Sequence, residues 1–148
     1  AGVDMQHIPY QGAGPALVDV ISGQVPIIFD NLPTASGYIR SGKLKALGVT
    51  TLNRAPSFPD LPAVAETLPG YETYSWNALF APAGTPPAIV AKLNQAANKA
   101  LATPKVQSRL ADFSAVSVGS TPEELEAHVK AELAKWAPIV NASGARLD

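Results

Sequence analysis

No cysteine occurs in the 148 residues, which excludes a disulfide framework, a thiolate nucleophile and cysteine metal sites. It leaves the compartment open, since bacterial periplasmic proteins manage without cysteine. Charge is also sparse: 16% of residues are charged, 11 basic against 12 acidic, for a formal net charge of -1. Such a balance offers no basic field to attract nucleic acid or an anionic membrane surface. Histidine is limited to His7 and His128, neither of them in a His-x-x-x-His or His-x-x-Glu-His pattern, so no metal is expected. The apolar runs fall far short of the roughly twenty residues of a membrane helix, and no charged start precedes an apolar run. The expectation is no signal peptide, no direct membrane insertion and no cofactor.

The chain does hold an apolar fraction of 47%, enough for a packed core, with fourteen prolines and eleven glycines. These sit between periodic segments and so punctuate a folded chain. Residues 3–9 read as a short strand; Gly14-Pro15 opens a helix through Ala16, Leu17, Val20 and Ile21 that stops at Gly23. Val25 to Phe29 and Leu44 to Thr50 read as further strands, with a helix from about Pro33 to Arg40 between them. This alternation predicts a parallel α/β sheet. Residues 51–62 read as a loop, residues 63–68 as a helical turn or two, and residues 73–81 as a strand or extended crossing segment.

Beyond Gly84, Thr85-Pro86 opens a helix with Ile89, Val90, Leu93, Ala97 and Leu101 on one face. A short helix follows Thr103-Pro104, residues 115–118 fit a last strand, and Thr121-Pro122-Glu123-Glu124 is a capping-box start for the final helix. The stripe Leu125, Val129, Leu133, Trp136 and Val140 on that helix requires a packing partner, with Trp136 read as core and His128 as solvated surface. Three helices with at most two strands leave residues 85–148 without a sheet to cover them.

The stretch HIPYQGAGPA, residues 7–16, is the strongest candidate site. A helix N-terminus leaves N–H groups unpaired and carries partial positive charge, so a small carboxylate or phosphate suits it; a tight strand-to-helix corner is the competing reading. The stretch is not GxGxxG, and no GxxxxGK signature follows it, so nucleotides are disfavoured. Asp30 ends the second strand before another helix start, where open α/β sheets place ligands, although Asp30 or Asn31 capping that helix is the stronger reading of the residues alone. Thr50 and Thr51 stand at a third strand end. Tyr10 either lines a cleft or covers the sheet edge. Ser75, in Tyr74-Ser75-Trp76-Asn77, lacks the Gly-x-Ser-x-Gly surroundings of a nucleophile elbow. No residue set pairs a nucleophile with an orienting base, so binding without chemistry is expected; an α/β hydrolase or transferase using Ser75 or Asp30 is the alternative.

The run HIPYQGAGPALVDVISGQVPIIFDNLPTASGYIRSGKLKALGVT, followed by RAPSFPDLPAVAE, SWNALFAPAGTPPAIVAKLN and TPEELEAHVKAELAKWAPIV, resembles the Bug, or TctC-like, substrate-binding proteins of tripartite tricarboxylate transporters. The likeness spans nearly the whole chain and matches the carboxyl-terminal half of a typical member. It implies a periplasmic binding protein-like (type II) lobe with a parallel-rich sheet, plus carboxyl-terminal helices of the other lobe. Residues 1–73 would form most of the second ligand-binding lobe, 74–84 a crossing segment, and 85–148 a helix-rich, incomplete part of the first lobe. The implied function is capture of a small carboxylated solute between two lobes and its delivery to a membrane permease. The matching ligand positions are Tyr10, Gln11, Gly12, Ala13, Gly14, Pro15 and Ala16, with Asp30 nearby and Ser75 in the crossing region. Because the family's first-lobe ligand loop would precede Ala1, association or element swapping with another chain is also expected, as a homodimer or as a non-binding oligomerising fragment.

Overall fold

A computed structural model describes residues 4–144; Val3, the expected start of the first strand, and the outer ends of the two lobe ranges lie outside the described residues. Five α-helices and one 3-10 turn follow in order: α1 Ala13–Ile21, α2 Leu32–Arg40, the turn Val64–Glu66, α3 Pro87–Leu101, α4 Pro104–Asp112 and α5 Pro122–Ser143. The chain divides into two compact units. One holds the chain through Ala78 together with Arg109–Val116; the other holds Leu79–Ser108 and the chain from Ser117.

The parallel-rich sheet is not there. Among the described residues there is no β-strand, and the only pairing is an isolated parallel bridge between Val49 and Ala63. It is made by the Val49 N–H on the Pro62 carbonyl and the Val64 N–H on the Val49 carbonyl, both at 2.9 Å. A strand exists only as a ladder of successive N–H and C=O pairs with a neighbour, and the segments around 5–9, 25–29 and 115–118 have none. Pro9 and Pro26 supply no donor in any case. Apolar side chains expected to be covered on both sheet faces are open instead: Phe29 is 70% exposed, Leu47 65%, Val116 74% and Val118 76%. Periodicity in these segments recorded a capacity for burial, which a partner ladder has to realise.

The first unit carries the buried residues: Leu17 at 5% exposure, Ala63 at 2% and Ser36 at 4%, with Ala16 and Ala35 beside them in α1 and α2. α1 turns Ala16 and Leu17 inward, and α2 the small side chains of Ala35 and Ser36. Each ends as its sequence dictates, with backbone N–H groups of Ser22 and Gly23 closing α1 and those of Ser41 and Gly42 closing α2. Gly23 and Gly42 take positive φ after the last turn, the usual terminator geometry.

The loop at 51–62 is held in part through Arg54. Arg54 donates from Nε and Nη2 to the two carboxylate oxygens of Glu66 at 2.7 and 2.8 Å and from Nη1 to the Pro59 carbonyl at 3.2 Å, while the Ala63 N–H donates to Glu66 Oε1 at 2.9 Å. The Arg54 hydrogen bonds, then the Ala63 N–H, hold the Glu66 carboxyl down to about 2 from an ordinary 4.5. A depressed carboxylate stabilises the fold above its unfolded-state pKa and loses that contribution as pH falls through its folded-state value. Wild type and Glu66→Gln are therefore expected to differ in stability at neutral pH and to converge as pH drops from about 4.5 towards about 2, followed by urea unfolding at fixed ionic strength. Parallel curves over that window would show that the pair holds nothing.

In the second unit, α3 begins one residue later than expected: Pro86 is the N-cap, and the Thr85 hydroxyl donates back to the Pro82 carbonyl at 2.8 Å. The amides of Asn94 and Asn98 both donate to the Ser120 carbonyl, at 2.8 and 3.0 Å, which ties α3 to the start of α5. The capping box of α5 is present, with the Thr121 N–H on Glu124 Oε2 at 2.8 Å and the Glu124 N–H on the Thr121 hydroxyl at 3.2 Å. Its stripe is less covered than its spacing suggests. Trp136 and His128 are half-buried, the Trp136 indole donating to Glu132 at 3.0 Å, and Leu133 is 66% exposed.

Candidate functional site

The site is built on the chain's entry into α1. Gly12 is the N-cap, with φ 110 and ψ 172, and no side chain caps the helix. This conformation is open essentially to glycine alone. The first N–H groups of a helix have no partner within it, and Pro15 has none to offer, so Gly12, Ala13 and Gly14 present the donors of this terminus. No acidic residue stands in its first turn. Among the described residues no side chain caps this helix start, whereas at α5 Glu124 sits on the Thr121 N–H.

Tyr10, just before the turn, is half-buried and donates its hydroxyl to Asp19 Oδ2 in α1 at 2.7 Å. Hydrogen bonding to Asp19, together with partial desolvation and the nearby negative charge, raises the pKa of the phenol above its ordinary value. Residues 10–16 thus form one turn, with Tyr10 and Ala13 half-buried, Gln11, Gly12, Gly14 and Pro15 exposed, and Ala16 buried.

Asp30 lies at a different helix start in the same unit. It accepts the Thr34 hydroxyl at 2.9 Å, and the same hydroxyl lies 2.7 Å from the Asn31 carbonyl. Asn31 is the N-cap of α2 by position but makes no side-chain cap bond. Among the described residues no hydrogen bond joins Asp30 to the 10–16 turn. The Thr51 hydroxyl turns into its own loop, donating to the Asn53 carbonyl at 2.7 Å, and the Thr50 carbonyl accepts the Thr73 N–H. Ser75 is exposed, without a hydrogen bond to an imidazole or a carboxylate among the described residues. No described group of three or more His, Cys, Asp or Glu could hold a metal, and no described helix is long and apolar enough to cross a membrane.

Asp19 was missed by motif reasoning. The signal for it was a single charge inside the apolar run Leu17-Val18-Asp19-Val20-Ile21, where only a polar partner makes such a residue useful. In the second unit, an open depression of about 480 Å³ is bordered by Asn98, Gln107, Ser120, Thr121 and Glu124. It contains none of the expected site residues. There a Cβ on Gly119 would come within 2.8 Å of Asn98 Oδ1.

The family model described as tripartite tricarboxylate transporter family receptor matches residues 1–145. The UPF0065 protein of the clcB-clcD intergenic region of Pseudomonas knackmussii is 41% identical over 142 residues, covering 95% of this chain and 84% of that protein. Among solved structures, R. palustris Rpa4515 with adipate superposes with a TM-score of 0.87 at 37% identity, covering 97% of this chain and 48% of the other. The periplasmic binding protein BugD gives 0.83 at 38%, covering 97% and 49%. The chain belongs to the tripartite tricarboxylate transporter receptor family. It is a transport-family protein of the periplasm. It covers 84% of the Pseudomonas knackmussii protein and about half the length of the solved relatives.

Proposed function

We propose that this chain supplies the Tyr10–Ala16 turn of a solute receptor, in which the N–H groups opening α1 hold one carboxylate of a small organic acid. In the whole receptor, residues 1–73 together with Arg109–Val116 belong to one lobe and the rest of 85–148 to the other, with 74–84 crossing between them. The solute is enclosed by loops of both and passed to a membrane permease. The observation that carries this reading is the uncapped start of α1 at a glycine-only N-cap, unopposed by acidic side chains in its first turn. It is supported by the relative solved with adipate. Asp30 serves here to receive the Thr34 hydroxyl, and Ser75 at most lines the approach.

Isothermal titration calorimetry with adipate, glutamate, citrate and nicotinate, each beside its amide, tests the proposal. One acid should bind, and its amide should bind at least about tenfold more weakly, because a charge-assisted hydrogen bond is lost with the charge. Equal binding of acid and amide, or no binding of any acid, would count against it.

A second reading is favoured by the exposed surface. The chain exposes 11534 Å², against about 7,200 Å² for an ordinary folded monomer of this mass and about 8,700 Å² for two separate half-sized bodies. Leu79 is 82% exposed and Phe80 70%. Self-association through such side chains is expected to appear in light scattering behind size exclusion as a mass of twice the chain or more that rises with concentration. A constant monomer mass would dispose of this reading and leave the receptor reading untouched.

A further inference from the structure

The Tyr10 hydroxyl has one proton to donate, and that proton is committed to Asp19 at 2.7 Å. Beside the opening ladder of α1, this bond ties residues 4–12 to the rest of the first unit. The segment contains Gly12, whose freedom in the unfolded chain is larger than any other residue's and whose φ of 110 is reached only by ordering it. A single side-chain bond, closing nine residues between the extended entry and α1, therefore bears on the shape of the whole glycine turn.

We propose that Asp19 is the positioning residue of this turn: it holds the Tyr10 hydroxyl and so fixes Gln11 to Gly14 at the opening of α1. Tyr10 then acts on a bound carboxylate through the turn, and its hydroxyl makes no contact with the solute. The consequence for solute binding rests on the receptor reading above; the tether does not.

A double-mutant cycle separates the two. Tyr10→Phe, Asp19→Ala and the double variant are compared with wild type by backbone amide relaxation of residues 11–14 and by calorimetry with adipate. Ring-labelled tyrosine NMR reads the Tyr10 pKa. The tether predicts order parameters for Gln11 to Gly14 near about 0.85 in the wild type and below about 0.6 in each single variant, with no further drop in the double. Asp19→Asn, whose carbonyl still accepts the hydroxyl, keeps the turn ordered while the Tyr10 pKa returns towards its ordinary value. Affinity falls by the same factor in both single variants and no further in the double. Unchanged order parameters overturn the proposal. So does an additive loss of affinity, since it places the hydroxyl on the solute. If the wild type binds no acid, the receptor reading fails and the order parameters alone decide the tether.

Discussion

Gly12→Ala is expected to destabilise the first unit by about 1–3 kcal/mol, whereas Gly14→Ala, two residues on, is expected to stabilise it by about 0.4–1 kcal/mol. Neither position is crowded: nothing lies within 4 Å of a Cβ built on either glycine. The difference is conformational. Gly12 stands at φ 110 and ψ 172, where a Cβ clashes with its own backbone, and the alanine variant must abandon the N-cap geometry that aims the first donors of α1. Gly14 has no positive φ and is already within the helix, where glycine costs more chain entropy than alanine. Urea midpoints at constant m-value give both numbers. Equal effects at the two positions would mean that the turn is not held as described.

Leu17→Ala should be the most damaging single truncation in the first unit, at about 2–5 kcal/mol. Leu17 is the one large side chain among the buried hydrophobic residues, the others being Ala16, Ala35 and Ala63. Its removal leaves a cavity that alanines cannot fill by changing rotamer. Domains of ordinary stability have only about 5–15 kcal/mol in total, and a unit with so few buried side chains stands at the low end. Val18→Ala, at a neighbouring position that is 64% exposed, is the control and should stay within about 0.5 kcal/mol of wild type. Thermal unfolding followed by circular dichroism distinguishes the two. A loss at Leu17 no larger than at Val18 would show that α1 does not pack through this face.

The helices were legible because their boundaries are written in local chemistry. Gly14-Pro15 opens α1, Gly23 and Gly42 follow the ends of α1 and α2, and Thr121 with Glu124 boxes the start of α5. Each of these signals acts within four residues of itself. The strands were not legible in the same sense. Val25 to Phe29 and Leu44 to Thr50 carry the right residues, but a strand needs a neighbour whose identity no local pattern contains, and among the described residues only Val49 finds one. In the site, the glycine turn could be read from Gly12-Ala13-Gly14-Pro15. Its tether could not, because the Tyr10–Asp19 bond spans nine residues and belongs to no motif. The Arg54–Glu66 pair, twelve apart, was invisible for the same reason.

The most direct test of carboxylate capture is to map amide chemical shifts while adipate is titrated into the protein, with adipamide as the matched control. The predicted result is that the largest shifts fall on the N–H groups of Gly12, Ala13 and Gly14 and that adipamide does not reproduce them. Shifts centred instead on Ser120 to Glu124 at the start of α5, or equal shifts from acid and amide, would contradict the account.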